Sequence, residues 1–156
     1  SVFADIKQIS KKIKMDDNAQ VMIDFANGAK GMLWTSVMAR GGVYGLRVRV
    51  FGTKGSLEWV QNDPGYLRYN PAKGAVKLLE RGFHNAEFSK NFSRIKFGHP
   101  EGYLDAFANI YKEFASSLKN KTKKRYFYPN EDEGFETAKF INACKISSKR
   151  KKWVKI

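Results

Sequence analysis

Between Ala19 and Arg81 apolar and polar residues trade places in steps of two, and this alternation limits the possible folds more than any other feature of the chain. In "AQVMIDF", Val21, Ile23 and Phe25 share one face, while Met22 and Asp24 share the other. "NG" at Asn27–Gly28 predicts a tight hairpin with positive φ at both residues. "GMLWTSVMA" reads as the returning strand, and "YGLRVRVFG", "SLEWV", "YLRY" and "VKLLE" as further strands. "GTKG", "NDPG" and "NPAKG" supply the turns between them. The reading is an antiparallel meander.

Its two faces differ. Val21, Ile23, Phe25, Leu33, Val37, Leu46, Val48, Val50, Leu57 and Trp59 form the face expected to be covered by helices. A face meeting only water would be polar, yet the other carries Met22, Met32, Trp34, Met38 and Phe51 beside Arg47, Arg49 and Glu58. Such a cluster suits a buried contact with a partner, most simply a second copy of the chain. The competing reading is that the chain's own loops shield these side chains.

Two helices are expected after the strands. Leu104, Phe107, Ala108, Tyr111, Phe114, Ala115 and Leu118 recur at helical spacing. Pro100 suits a first helical position and Glu101 favours the positive helix end, which puts His99 at the helix mouth with Tyr103 and Phe107 anchoring the helix under the sheet. "NEDEGF" opens the second helix, Asn130 and Glu133 having the spacing of a capping box, and Phe135, Ala138, Ile141 and Cys144 fall on one side of it. "KWVKI" closes as a strand. The fold class is α+β: a large, mostly antiparallel sheet with helices packed on one face. With 156 residues, 42% of them hydrophobic, a single domain over 1–156 is expected.

The net charge of +14 favours polyanions such as nucleic acid or an acidic surface. A plainer reading spreads the lysines over solvated surface, two of the three dense runs (Lys7–Lys14, Lys119–Arg125, Lys149–Lys152) falling where helices should end and cations suit the helix dipole. "RVRVFGTKG" does not follow the aromatic and glycine order of an RNA-binding strand, which argues against a nucleic-acid partner. No apolar run is long enough to span a membrane, and residues 1–10 lack the layout of a signal peptide. The single Cys144 excludes an internal disulfide, and a cytoplasmic setting is expected.

Motifs for chemistry are scarce. There is no G-x-G-x-x-G, no phosphate loop, no H-E-x-x-H and no Cys/His ligand series, so no catalytic, cofactor-binding or metal-binding residue is assigned. Cys144 on an apolar helix face reads as core, and His84 as surface. His99, where helix N–H groups would converge, could meet a polar ligand or simply cap the helix.

The ordered elements "GTKGSLEW", "GHPEGYLDAF" and "NEDEGF", after "MDDNAQVMIDFANGAKGMLWTSV", resemble the C-terminal domain of the glucose–fructose oxidoreductase/inositol dehydrogenase/MocA (Gfo/Idh/MocA) family. The likeness runs from about Met15 to Ile156. It implies a two-domain enzyme using NAD or NADP to oxidise a sugar, inositol or related polyol. The Rossmann domain that holds the cofactor, the Glu-Lys-Pro lysine and the Asp/His relay would all lie outside this sequence. This chain would then be inactive alone, while supplying a wall of the substrate pocket and the sheet used for a homo-oligomer. His99 is the leading candidate for a hydrogen bond to a substrate hydroxyl, with Trp34 and Glu101 as candidates for the pocket or its support. Met22, Met32, Trp34, Met38, Arg47, Arg49 and Phe51 are the interface candidates. The rivals are a free-standing polyanion-binding domain and a non-catalytic assembly module.

Overall fold

The computed structural model describes residues 1–12, 14–42, 45–82, 92–96, 98–119 and 127–156. His84 and most of the Lys119–Arg125 run lie outside them. The described chain forms seven strands and two long helices: β1 (Val2–Lys7), β2 (Asn18–Asp24), β3 (Lys30–Ser36), β4 (Arg47–Gly52), β5 (Gly55–Val60), β6 (Tyr66–Pro71), β7 (Lys77–Glu80), α1 (Tyr103–Lys119) and α2 (Glu131–Arg150). The α+β class stands, every strand pair in the two sheets being antiparallel. The expected meander is divided, however, into a three-stranded sheet β1-β2-β3 and a four-stranded sheet β4-β5-β6-β7. These belong to two compact units, residues 1–42 with 129–156, and residues 43–128.

In the first unit β1 is the strand that alternation from Ala19 onward overlooks. It pairs with β2, setting Ala4 against Val21 and Phe3 against Met22. Val2, Ala4 and Val21 meet Ala143 and Cys144 of α2 to form the buried core, with Ile6, Ile23, Phe140 and Val154 packed around it. The free edge of β1 is closed by the far end of the chain. Val2 bridges Val154, the N–H of Ala4 donates to Ser147 Oγ at 3.0 Å, and that of Ile6 to Ser148 Oγ at 2.9 Å. An exposed strand edge invites pairing with other chains, and here side-chain hydroxyls and the tail fill it. The expected terminal strand is thus a single bridge at Val154.

The β2–β3 hairpin departs from the two-residue turn predicted for "NG". Gly28 donates to Phe25 O and Phe25 to Ala29 O, both at 3.0 Å, and only Gly28 takes a positive φ (86°). This is a longer loop with glycine at its left-handed position. The N-terminus of α2 does carry the expected capping box. Asn130 Oδ1 accepts from the Glu133 N–H at 2.9 Å, and Glu133 Oε2 from the Asn130 N–H at 3.0 Å.

Burial is narrower than the alternation implies. Val21 is buried and Ile23 and Trp59 are half-buried, but Phe25, Leu33, Val37, Leu46, Val48, Val50 and Leu57 are exposed. On α1 the large side chains of the apolar stripe are exposed as well, and the Tyr103 and Phe107 rings meet each other, tilted, at 4.9 Å rather than anchoring the helix under a sheet. On α2, Phe135 and Ile141 are exposed, and burial is confined to the C-terminal half. Periodicity tells which side chains share a face, not what covers that face.

Candidate functional site around His99

The stretch leading into α1 is built differently from the helix mouth expected of it. The helix starts at Tyr103, so Pro100 precedes its first residue. Gly102 is the cap: its carbonyl accepts the Ala106 N–H at 3.0 Å, and its own N–H donates to Asp105 Oδ2 at 3.0 Å. Asp105 thus binds the N–H of the cap residue itself, and His99 is not a capping residue. Proline at position 100 holds the preceding residue, His99, away from the helical region.

His99 instead lies exposed in a turn after Gly98, whose φ is 82°. Its backbone N–H donates to Lys96 O at 3.3 Å, and its ring Nδ1 lies 3.2 Å from the same carbonyl. A carbonyl oxygen only accepts, so this contact makes Nδ1 the ring donor and leaves Nε2 of the neutral imidazole as the acceptor. In that neutral form Nε2 can accept a hydrogen bond, for example from an alcohol O–H.

Behind it stands a network absent from any local pattern. The Glu101 side chain is only 6% exposed and is ion-paired through Oε2 with Arg81 Nη1. Its Oε1 accepts the backbone N–H groups of Arg94 and Ile95, the latter at 2.9 Å. Arg81 Nη2 donates to the carbonyl of His99 at 2.9 Å. Arg94 Nε then reaches Asn109 Oδ1 on α1 at 3.1 Å, and Asn109 Nδ2 donates to Phe92 O at 2.6 Å. The Glu101 carboxylate is therefore turned inward, with both oxygens engaged by the chain itself. Its spacing from Arg81 follows no periodic rule, so sequence patterning could not pair the two.

The remaining candidates are carried by the sheets. Trp34 is 65% exposed and belongs to the first unit, whereas His99 and Glu101 belong to the second. The indole N–H of Trp34 donates to Asn18 Oδ1 at 3.2 Å. Met22 and Met32 face each other across β2 and β3 beside Phe3, and Gln20 opposes Trp34, so Phe3, Met22, Met32 and Trp34 share one open face. Met38 lies beyond β3, which ends at Ser36, and is half-buried there with its N–H bonded to Ser36 Oγ at 3.2 Å.

In the second sheet Arg47, Arg49 and Phe51 alternate along β4 on the face that also carries Glu58 and Arg68. Arg47 Nε pairs with Glu58 Oε1 at 2.8 Å, and the Arg49 guanidinium lies 5.8 Å from the Phe51 ring centre. A shallow recess of about 350 Å³ opens among Arg47, Glu58, Tyr66, Arg68 and Leu78.

At the start of α1 Asp105 binds the N–H of Gly102, and α2 begins at Asn130 among Glu131, Asp132 and Glu133. Cys144 is buried, and burial pushes its thiol pKa up, away from a reactive thiolate. Among the described residues no group of three or more His, Cys, Asp or Glu could hold a metal, and no helix is long and apolar enough to cross a membrane.

The described residues thus form an α+β domain of antiparallel strands and two long helices. Residues 2–156 match the family described as "Oxidoreductase family, C-terminal alpha/beta domain", and the chain belongs to that family (Gfo/Idh/MocA). It is 32% identical over 143 residues to the uncharacterized oxidoreductase YfiI of Bacillus subtilis, covering 87% of this chain and 36% of that protein. It superposes on an oxidoreductase from Sinorhizobium meliloti with a TM-score of 0.90 and 43% identity, covering 99% of this chain and 45% of the other. An inositol dehydrogenase homolog from Azotobacter vinelandii, in complex with NADH and myo-inositol, matches with a TM-score of 0.86 and 28% identity over 96% of this chain and 41% of its own. The chain thus spans less than half the length of these relatives.

Proposed function

We propose that this chain is the substrate-binding and oligomerisation domain of an NAD(P)-dependent oxidoreductase acting on a sugar, inositol or related polyol. On this reading a Rossmann domain elsewhere in the full-length protein holds the cofactor and carries out hydride transfer, and residues 1–156 contain no catalytic group. The observation that carries it is the likeness, over nearly the whole chain, to an inositol dehydrogenase homolog complexed with NADH and myo-inositol. The free Nε2 of His99 supports it, because a polyol presents the O–H donor that this nitrogen lacks.

His99 orients the substrate by accepting one hydroxyl hydrogen bond. The open faces bearing Met22, Met32 and Trp34, and Arg47, Arg49 and Phe51, supply contacts between copies of the chain. The test is a spectrophotometric survey of the full-length protein with NAD and NADP against inositols, aldoses and alditols. Substrate-dependent reduction of nicotinamide is expected, with His99→Gln raising KM more than it lowers kcat. Reduction by no member of the panel, or a KM unmoved by His99→Gln, would count against the corresponding part of the reading.

A further inference from the structure

We propose that Glu101 and Arg81 act together as positioning residues for His99, fixing where its free ring nitrogen stands. The inference rests on the reading of His99 as a substrate contact and goes beyond it. Three observations carry it. The Glu101 carboxylate is nearly buried and draws in the N–H groups of Arg94 and Ile95, fixing the chain just before Lys96. Lys96 O in turn receives Nδ1 of His99 and so sets the ring's tautomer. Arg81, at the end of β7, uses one guanidinium nitrogen on Glu101 and the other on the carbonyl of His99 itself.

One forked cation therefore holds His99 by its own carbonyl and holds Glu101, whose other oxygen ties the chain before the histidine. Lysine keeps the charge but offers a single nitrogen, so it cannot make both contacts in this geometry. A carboxylate that takes two N–H donors on one oxygen and faces a guanidinium with the other is likewise not replaced by glutamine, which brings an N–H₂ group of its own.

The test uses the full-length protein with Arg81→Lys and Glu101→Gln, beside His99→Gln. It reads KM and kcat on the substrate found in the survey, together with amide hydrogen exchange at Arg94, Ile95 and His99. The expected result for Arg81→Lys is a KM raised about ten-fold with kcat within about two-fold, and faster exchange at these amides. Should Glu101→Gln fail to fold, Arg81→Lys still decides the matter. Unchanged KM and unchanged exchange in Arg81→Lys would overturn the proposal. A raised KM in His99→Gln alone would also overturn it, while leaving the substrate contact intact. Faster exchange with KM unmoved in both Arg81→Lys and His99→Gln would instead overturn the reading of His99.

Discussion

The hydroxyl of Ser147 accepts the backbone N–H of Ala4 at 3.0 Å across 143 positions of sequence and donates its own hydrogen bond to Lys152 O at 2.7 Å. One fully buried side chain thereby joins the first strand, the last helix and the turn that follows it. Replacing Ser147 by alanine strands a buried donor, a loss of roughly 1–3 kcal/mol. Denaturant unfolding should show that decrease, with faster hydrogen exchange at Ala4. A midpoint equal to that of the parent would refute the role.

Lys151 Nζ and Asp5 Oδ1 meet at 2.7 Å on the surface of the same unit. The hydrogen bond from Lys151 chiefly holds the Asp5 carboxyl below its ordinary pKa of 3.8, Lys7 adding a smaller pull. A lowered acid stabilises the fold above that ordinary value and loses its effect as pH falls through the folded value. Asp5→Asn should therefore lower Tm slightly at neutral pH, by an amount that shrinks in high salt and vanishes in strong acid. A deficit that grew on acidification would contradict the assignment.

Gly55 sits at φ 143° in the β4–β5 hairpin, and a Cβ there would stand 2.3 Å from the carbonyl oxygen of Asn70. Neither the backbone angle nor the neighbouring strand leaves room for alanine. Gly55→Ala should cost on the order of 2–4 kcal/mol, read as a lower unfolding midpoint. Gly74→Ala, also at positive φ (98°) but with nothing within 4 Å of its Cβ, should cost less. Equal effects would show that the close approach is unimportant.

Met32 is 82% exposed on the open face it shares with Trp34. If copies of the chain meet there, Met32→Asp with Trp34→Asp places charges in the contact and should lower the mass of the full-length protein in solution. Light scattering decides it. An unchanged mass together with unchanged thermal stability would remove this face from the interface.

Much of this fold could be read in the chain before any coordinates. Each strand expected between Ala19 and Arg81 is present, because alternation and turn residues act within a few positions. The capping box at Asn130 and Glu133 is equally local. Where reading failed, the cause was distance or cover. Strand β1 has no partner until β2 arrives. Asp17, which accepts the N–H groups of Ile9 and Ser10 at 2.7 Å each, has no pattern to announce it. His99 is legible as a residue of interest, but of its two readings the helix cap falls to Gly102, whose N–H Asp105 binds.

The amino-acid order by itself determined where strands and helices run, because side-chain periodicity and turn chemistry depend on neighbours along the chain. It also determined the family, through elements whose order survives without knowledge of contacts. Only the tertiary structure decided that Ser147 would finish the edge of β1 and that Arg81 would hold both Glu101 and His99. Those choices depend on which distant groups come together when the chain closes, and a buried donor or charge takes whichever partner the packing brings to it.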